Sequence, residues 1–189
     1  MPLSSPPFPF VSRLARVRTR LSQAGADVFV VTNLNNIRYL TGFAGSAGIL
    51  VLTASGGHLL IDGRYEEIVR EGQSSGLIAA IDVIRVKKYD PTLIETLSAG
   101  GWQRLAFEGD HTTVAQYGRW VQGLPGVTCT PVYDWVEAGR IAKDDRELAI
   151  LRRAAVLLSG VASALGQWVA VGKSEREVAG DIDAALRRA

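Results

Sequence analysis

Two hydrophobic periodicities share this chain, and the change from one to the other limits its fold more than any other feature. Up to about Trp135, short apolar runs alternate with helical signals; beyond it only helical periodicity remains. The first helix is expected after Ser12, with Leu14, Val17 and Leu21 on one face and Gly25 as its stop. Residues 28–32 form an uninterrupted, β-branched run that reads as a buried strand. A helical turn over 36–40 precedes a hairpin, with strands at 49–53 and 58–61 around Ala54, Ser55, Gly56 and Gly57. Helices over 65–71, 91–97 and 114–122 then alternate with strands over 80–86, 105–107 and 127–131. Asp90 is expected to cap the second of those helices, with Pro91 in its first helical position. Such alternation predicts an α/β fold, a mixed or parallel central sheet with helices on both faces.

The second region reads as helix only. Asp144, Asp145 and Glu147 open a helix expected to run to about Val169, and Ser174 with Glu177 forms a capping box for another. The change falls near 138–143. The chain therefore divides into a tail at 1–11, an α/β domain at 12–136, and a linker with two helices of an incomplete domain at 137–189. The long helix carries two apolar stripes. One contains Leu148, Leu151, Leu158 and Leu165, the other Ile150, Leu157, Val161 and Trp168. Together they span roughly 200° of the helix, about twice what a surface helix needs. Each large residue forfeits roughly 1.5–3 kcal/mol if left in water, so this helix is expected to need partners on two sides. The alternative is that the α/β domain covers both stripes.

Charge and composition exclude several classes. A formal net charge of +2 is too weak for a nucleic-acid groove. One cysteine, Cys129, rules out an internal disulfide and a Cys-rich zinc module. Pro2, Pro6, Pro7 and Pro9 break any apolar signal helix at the start. Residues 154–172 are uncharged, but Ser159, Ser163 and Gln167 gather polarity on one face, which favours a buried soluble helix over a membrane span. No membrane partner, no nucleic acid and a cytoplasmic location are the expectations.

Local motifs have ordinary readings. Gly172-Lys-Ser174 lacks P-loop spacing, and Ser174 is better explained as a cap. The glycines at 42, 45 and 48 do not open a dinucleotide fingerprint and suit tight turns instead. Glu108, Asp110 and His111 cluster at a strand end, where Asp110 or His111 is expected to cap the following helix. Cys129 reads as an inert packed thiol. Asp62, Arg64 and Tyr65 follow a strand, either as a binding corner or as an Asp–Arg pair that fixes the turn.

Five stretches, in order, carry a resemblance. Tyr39-Leu-Thr-Gly-Phe43 with the glycine-spaced residues through Gly48, Asn33 to Arg38 ahead of it, and Asp62-Gly-Arg-Tyr65 behind it resemble the creatinase/prolidase-type amino-terminal domain. Leu105-Ala-Phe-Glu108-Gly-Asp is similar to the same family, and Arg140-Ile-Ala-Lys143 continuing to Glu147 resembles the opening of a pita-bread catalytic domain.

The resemblance implies the amino-terminal part of a proline-specific metallopeptidase that cleaves the bond before proline. An Xaa-Pro aminopeptidase leads. An Xaa-Pro dipeptidase, a non-catalytic peptide- or protein-binding relative and a creatinase-like hydrolase are the alternatives. It implies a dinuclear metal centre, manganese, in the complete protein, which would activate a bridging water and polarise the scissile carbonyl. Its ligands would all lie beyond Ala189, so neither metal nor catalytic residues are assigned here, and the chain alone is expected to be inactive. Homo-oligomerisation through this domain, and proline-containing peptides as substrate of the complete protein, are the implied partners. Residues 39–46 are the stretch implied in that role: Phe43 would wall a substrate pocket, while Arg38 or Arg64 on either side would meet a peptide carboxylate. Arg38, Tyr39, Phe43, Ser46, Arg64 and Tyr65 are the candidate gating or interface residues.

Overall fold

Each strand–helix alternation adds a strand to one sheet, and the order of addition decides where loops gather. In a computed structural model that describes residues 8–188, the elements are α1 (Phe10–Gln23), β1 (Val28–Val31), α2 (Leu34–Thr41), β2 (Ile49–Thr53), β3 (Gly57–Asp62), α3 (Glu66–Ser74), β4 (Asp82–Val86), α4 (Tyr89–Gly100), β5 (Arg104–Glu108), α5 (Val114–Gly123), β6 (Thr128–Val132), α6 (Glu137–Ile141), α7 (Asp145–Ser163) and α8 (Glu175–Arg188). The six strands lie in the order β4-β3-β2-β1-β5-β6. β2 pairs antiparallel with both β1 and β3, while the β1–β5, β5–β6 and β3–β4 pairs are parallel. The sheet is mixed, as the alternation of elements predicts.

The pleat sends alternate side chains to opposite faces. Phe29 and Val31 of β1 join Leu50, Leu52, Leu59 and Ile61 in a core that Leu14, Val17 and Leu21 of α1 cover. Val28 and Val30 face the other way, onto a core closed by Leu93 and Leu97 of α4 and Trp120 of α5. Both faces are covered, which is why β1 is apolar at every position and fully buried.

The helix ends differ from expectation at several places. α1 begins at Phe10 rather than after Ser12, whose hydroxyl donates to the Pro9 carbonyl within the first turn. Of the expected tail, residues 1–7 lie outside the described residues. α4 starts at Tyr89, and Asp90 is not its cap. Its carboxylate instead accepts from Arg119 Nε at 2.6 Å and Trp120 Nε1 at 3.3 Å, tying α4 to α5. Neither Asp110 nor His111 caps α5: Thr113 does, in a capping box with Gln116. Asp144 and Glu147 form the capping box of α7, and Ser174 with Glu177 does the same at α8. α7 ends at Ser163, short of Val169, and a 3-10 turn follows at Leu165–Gln167.

Two compact units divide between Ala142 and Lys143. Residues 137–141, expected to begin a linker, fold as α6 within the first unit. In the second unit α7 leaves its stripes uncovered. Only Val161 is buried, whereas Ile150 is 56% and Leu158 60% exposed. By length and composition alone, residues 145–167 are apolar enough to cross a membrane.

Candidate functional site

α2 ends where Gly42 adopts φ +81°, and its N–H returns to the Arg38 carbonyl at 2.8 Å. A Cβ there would also stand 2.2 Å from the Leu77 carbonyl oxygen. The next residue, Phe43, is fully buried, and Cβ atoms at Gly45 or Gly48 would meet its ring at 2.2 and 2.9 Å. The glycine spacing of this loop therefore serves a close wrap around one aromatic ring.

Tyr65 packs edge-on against Phe43, ring centroids 5.3 Å apart. Its phenol oxygen accepts from the Ser46 N–H at 3.0 Å and shares a 2.7 Å hydrogen bond with the Ser46 hydroxyl. Those bonds hold the Tyr65 pKa below its ordinary value. Beside it, Arg64 grips Asp62 with a two-pronged pair at 2.9 and 2.8 Å, lowering the Asp62 pKa from 3.8 to about 2. The Tyr89 hydroxyl donates to the same carboxylate at 3.3 Å.

Phe43, Ser46, Arg64 and Tyr65 thus meet in one corner. The Arg64 guanidinium is already engaged by Asp62 rather than offered to a peptide carboxylate. Arg38 is exposed on α2. Tyr39 is held apart from that corner's bonds: its hydroxyl donates to the Gly139 carbonyl at 2.8 Å, and Arg13 stacks 3.9 Å over its ring. An open groove of about 550 Å³ runs along the corner, lined mainly by Phe43, Tyr65, Ile68, Leu77 and Ile78.

A second cluster lies beyond the carboxyl ends of β1 and β5. Glu108 is only 6% exposed. Its carboxylate accepts from the Thr32 and Asn33 N–H groups, both at 2.7 Å, and from Asn36 Nδ2 at 2.6 Å. These N–H groups lead into α2, so the charge also sits at a favourable helix end. Asn36 donates in addition to Glu137 and accepts from Arg140 Nη1 at 2.9 Å. Thr32 Oγ1 lies 3.0 Å from His111 Nδ1. Reading Glu108 to His111 as an isolated turn misses this convergence. The available signal was that Asn36, Glu108 and Arg140 each fall inside a stretch that carries the family resemblance.

The acidic cluster does not fit a metal centre. Among the described residues, no group of three or more His, Cys, Asp or Glu side chains is placed to hold a metal ion. The Glu108 and Glu137 carboxylates are occupied by N–H donors. Cys129 is half-buried, and burial raises its thiol pKa, which disfavours the thiolate.

The profile of the creatinase/prolidase N-terminal domain matches residues 13–142. An uncharacterized peptidase of Bacillus subtilis, YqhT, is 28% identical over 176 residues, 93% of this chain but 48% of that protein. Among solved structures, an Xaa-Pro dipeptidase from Bacillus anthracis superposes with TM-score 0.81 at 24% identity, covering 95% of this chain and 49% of that one. The Xaa-Pro aminopeptidase structure from Streptococcus thermophilus gives TM-score 0.61 at 26% identity, over 69% of this chain and 98% of its own. The chain spans about half the length of the curated relative and of the dipeptidase.

Proposed function

This chain belongs to the creatinase/prolidase N-terminal domain family, and from that premise we propose that it is the amino-terminal part of a proline-specific metallopeptidase, an Xaa-Pro aminopeptidase. The observation that carries the reading is one of coverage. A peptidase relative aligns with 93% of this chain yet extends to about twice its length. The apolar stripes of α7 support it, because helix faces with Ile150, Leu151 and Leu158 exposed need a further partner to bury them. The polar residues of the same helix weigh against a membrane span. Ser159, Ser163 and Gln167 recur on one face, and Arg152 and Arg153 interrupt the apolar run.

In this reading the chain contributes no catalytic group. The metal centre belongs to the remainder of the protein, with manganese as the metal, and no step of hydrolysis is assigned to residues here. The corner of Phe43, Ser46 and Tyr65 is the part offered to a substrate pocket, the surrounding groove is a contact with a second subunit, and the compartment is the cytoplasm. A loop pinned by a buried ring and a tyrosine hydroxyl gives a rigid wall, which suits positioning better than a mobile flap does.

The test is hydrolysis of Xaa-Pro peptides by the purified 189-residue chain and by the protein extended through its downstream reading frame, each with and without Mn²⁺. The extended protein is expected to release the residue before proline from peptides of three or more residues, and the chain alone is expected to do nothing. Manganese-dependent cleavage by the chain alone contradicts the division of labour. Cleavage of Xaa-Pro dipeptides only by the extended protein makes it a dipeptidase. Light scattering of the chain tests the subunit contact, which a monomer at high concentration would contradict.

A further inference from the structure

Asn36 gathers three partners from two distant parts of the sequence, β5 and α6, on one side chain. Its two amide hydrogens go to Glu108 and Glu137, and its carbonyl oxygen accepts from Arg140. Further along α2, Tyr39 donates to the Gly139 carbonyl. Glu137, Gly139 and Arg140 belong to α6, which has five residues and buries none of their side chains. A helix that short does not persist unaided, since nucleation is unfavourable and there are too few turns to offset it. Its form must come from what holds it.

We infer that α6 is a strap latched to α2 by Asn36, and that this latch sets where the chain leaves the sheet domain at Ala142. The charges decide which way the amide points. Reversing it would aim its oxygen at two carboxylates and its nitrogen at a guanidinium, both repulsive. Glu108 is the positioning residue of the latch: the Thr32 and Asn33 N–H groups hold its carboxylate, and the carboxylate in turn fixes Asn36. Every group involved lies within residues 32–140, so the latch is independent of the peptidase reading, and either can fail without the other.

Hydrogen exchange read by mass spectrometry on the 189-residue chain tests it. Glu137→Ala and Asn36→Leu are expected to speed exchange of amides 138–141 about ten- to hundredfold, with β1 and β5 amides as slow as before. Glu137→Gln keeps an oxygen that can accept from Asn36 and is expected to stay close to the unmodified chain. Unchanged exchange of 138–141 in Glu137→Ala overturns the latch. So does acceleration that reaches β1 and β5 equally, because the cluster would then be general core support. If Asn36→Leu does not fold, Glu137→Ala, which leaves the Glu108 bonds in place, decides the matter.

Discussion

Leu50, Leu52, Leu59 and Ile61 in the sheet domain are fully buried, whereas Ile150, Leu151 and Leu158 in α7 are half or more exposed. The residue types are alike: the strand residues repeat every two positions, while Leu151 and Leu158 share one helical stripe and Ile150 stands on the other. The difference lies in what stands opposite. Each sheet face has helices laid on it, while the α7 stripes have almost nothing. Regular apolar spacing thus tells which face demands a partner and not that one is present. Local chemistry is equally sound in both units: Thr113 and Asp144 each close a capping box. Capping secures a helix end, and only packing secures a domain.

The widest separation between the two units is expected from large-to-small changes. Phe29→Ala opens a void in the first core and is expected to cost about 3–5 kcal/mol, whereas Leu158→Ala stays within about 0.5 kcal/mol. Urea unfolding of both variants measures this, and equal losses would erase the distinction.

Glycines sharpen the comparison on a smaller scale. Gly42 (φ +81°) and Gly172 (φ +93°) both occupy left-handed backbone, but a Cβ at Gly42 strikes the Leu77 carbonyl and one at Gly172 meets nothing within 4 Å. Either alanine costs about 1–2 kcal/mol of conformational strain. Gly42→Ala adds a backbone clash and is expected to lower the midpoint of the sheet domain clearly more. Equal midpoints for the two variants would mean that the Gly42 loop is loosely held.

The smallest effect is the acid dependence that Asp62 gives the first unit. The folded pKa of Asp62 is depressed, from 3.8 to about 2, chiefly by its bond to Arg64. Its contribution is therefore complete above about pH 4 and fades as pH falls towards 2. Asp62→Asn is expected to remove that part of the pH slope and to lower stability at neutral pH by the same small amount, small because Arg64 is exposed. A slope that survives the substitution would assign the acid sensitivity to other carboxylates.

Most of the sheet was legible because both of its faces are covered, and buried strands such as 28–31 show it as unbroken apolar runs. The order of the strands was not legible. Pairing β1 with β5 joins segments more than seventy residues apart, and no local pattern encodes that choice. Asp90 stands where a cap would, just ahead of Pro91, yet its carboxylate bonds Arg119 and Trp120, 29 and 30 residues on. The corner at Phe43 and Tyr65 was legible in part, because the glycine spacing and the aromatic residues were adjacent in sequence. Asn36 shows no local sign of its network, because its partners stand 72, 101 and 104 residues away. A polar side chain on a short helix does not disclose a buried network until the fold closes around it.

Cutting the chain after Ala142 tests most directly whether the first unit owes its stability to itself alone. Urea unfolding of residues 1–142, compared with the 189-residue chain, is expected to show one cooperative transition at the same midpoint for the sheet domain. A lost transition or a midpoint moved well below that of the whole chain would contradict the account, because residues after 142 would then be holding the domain together.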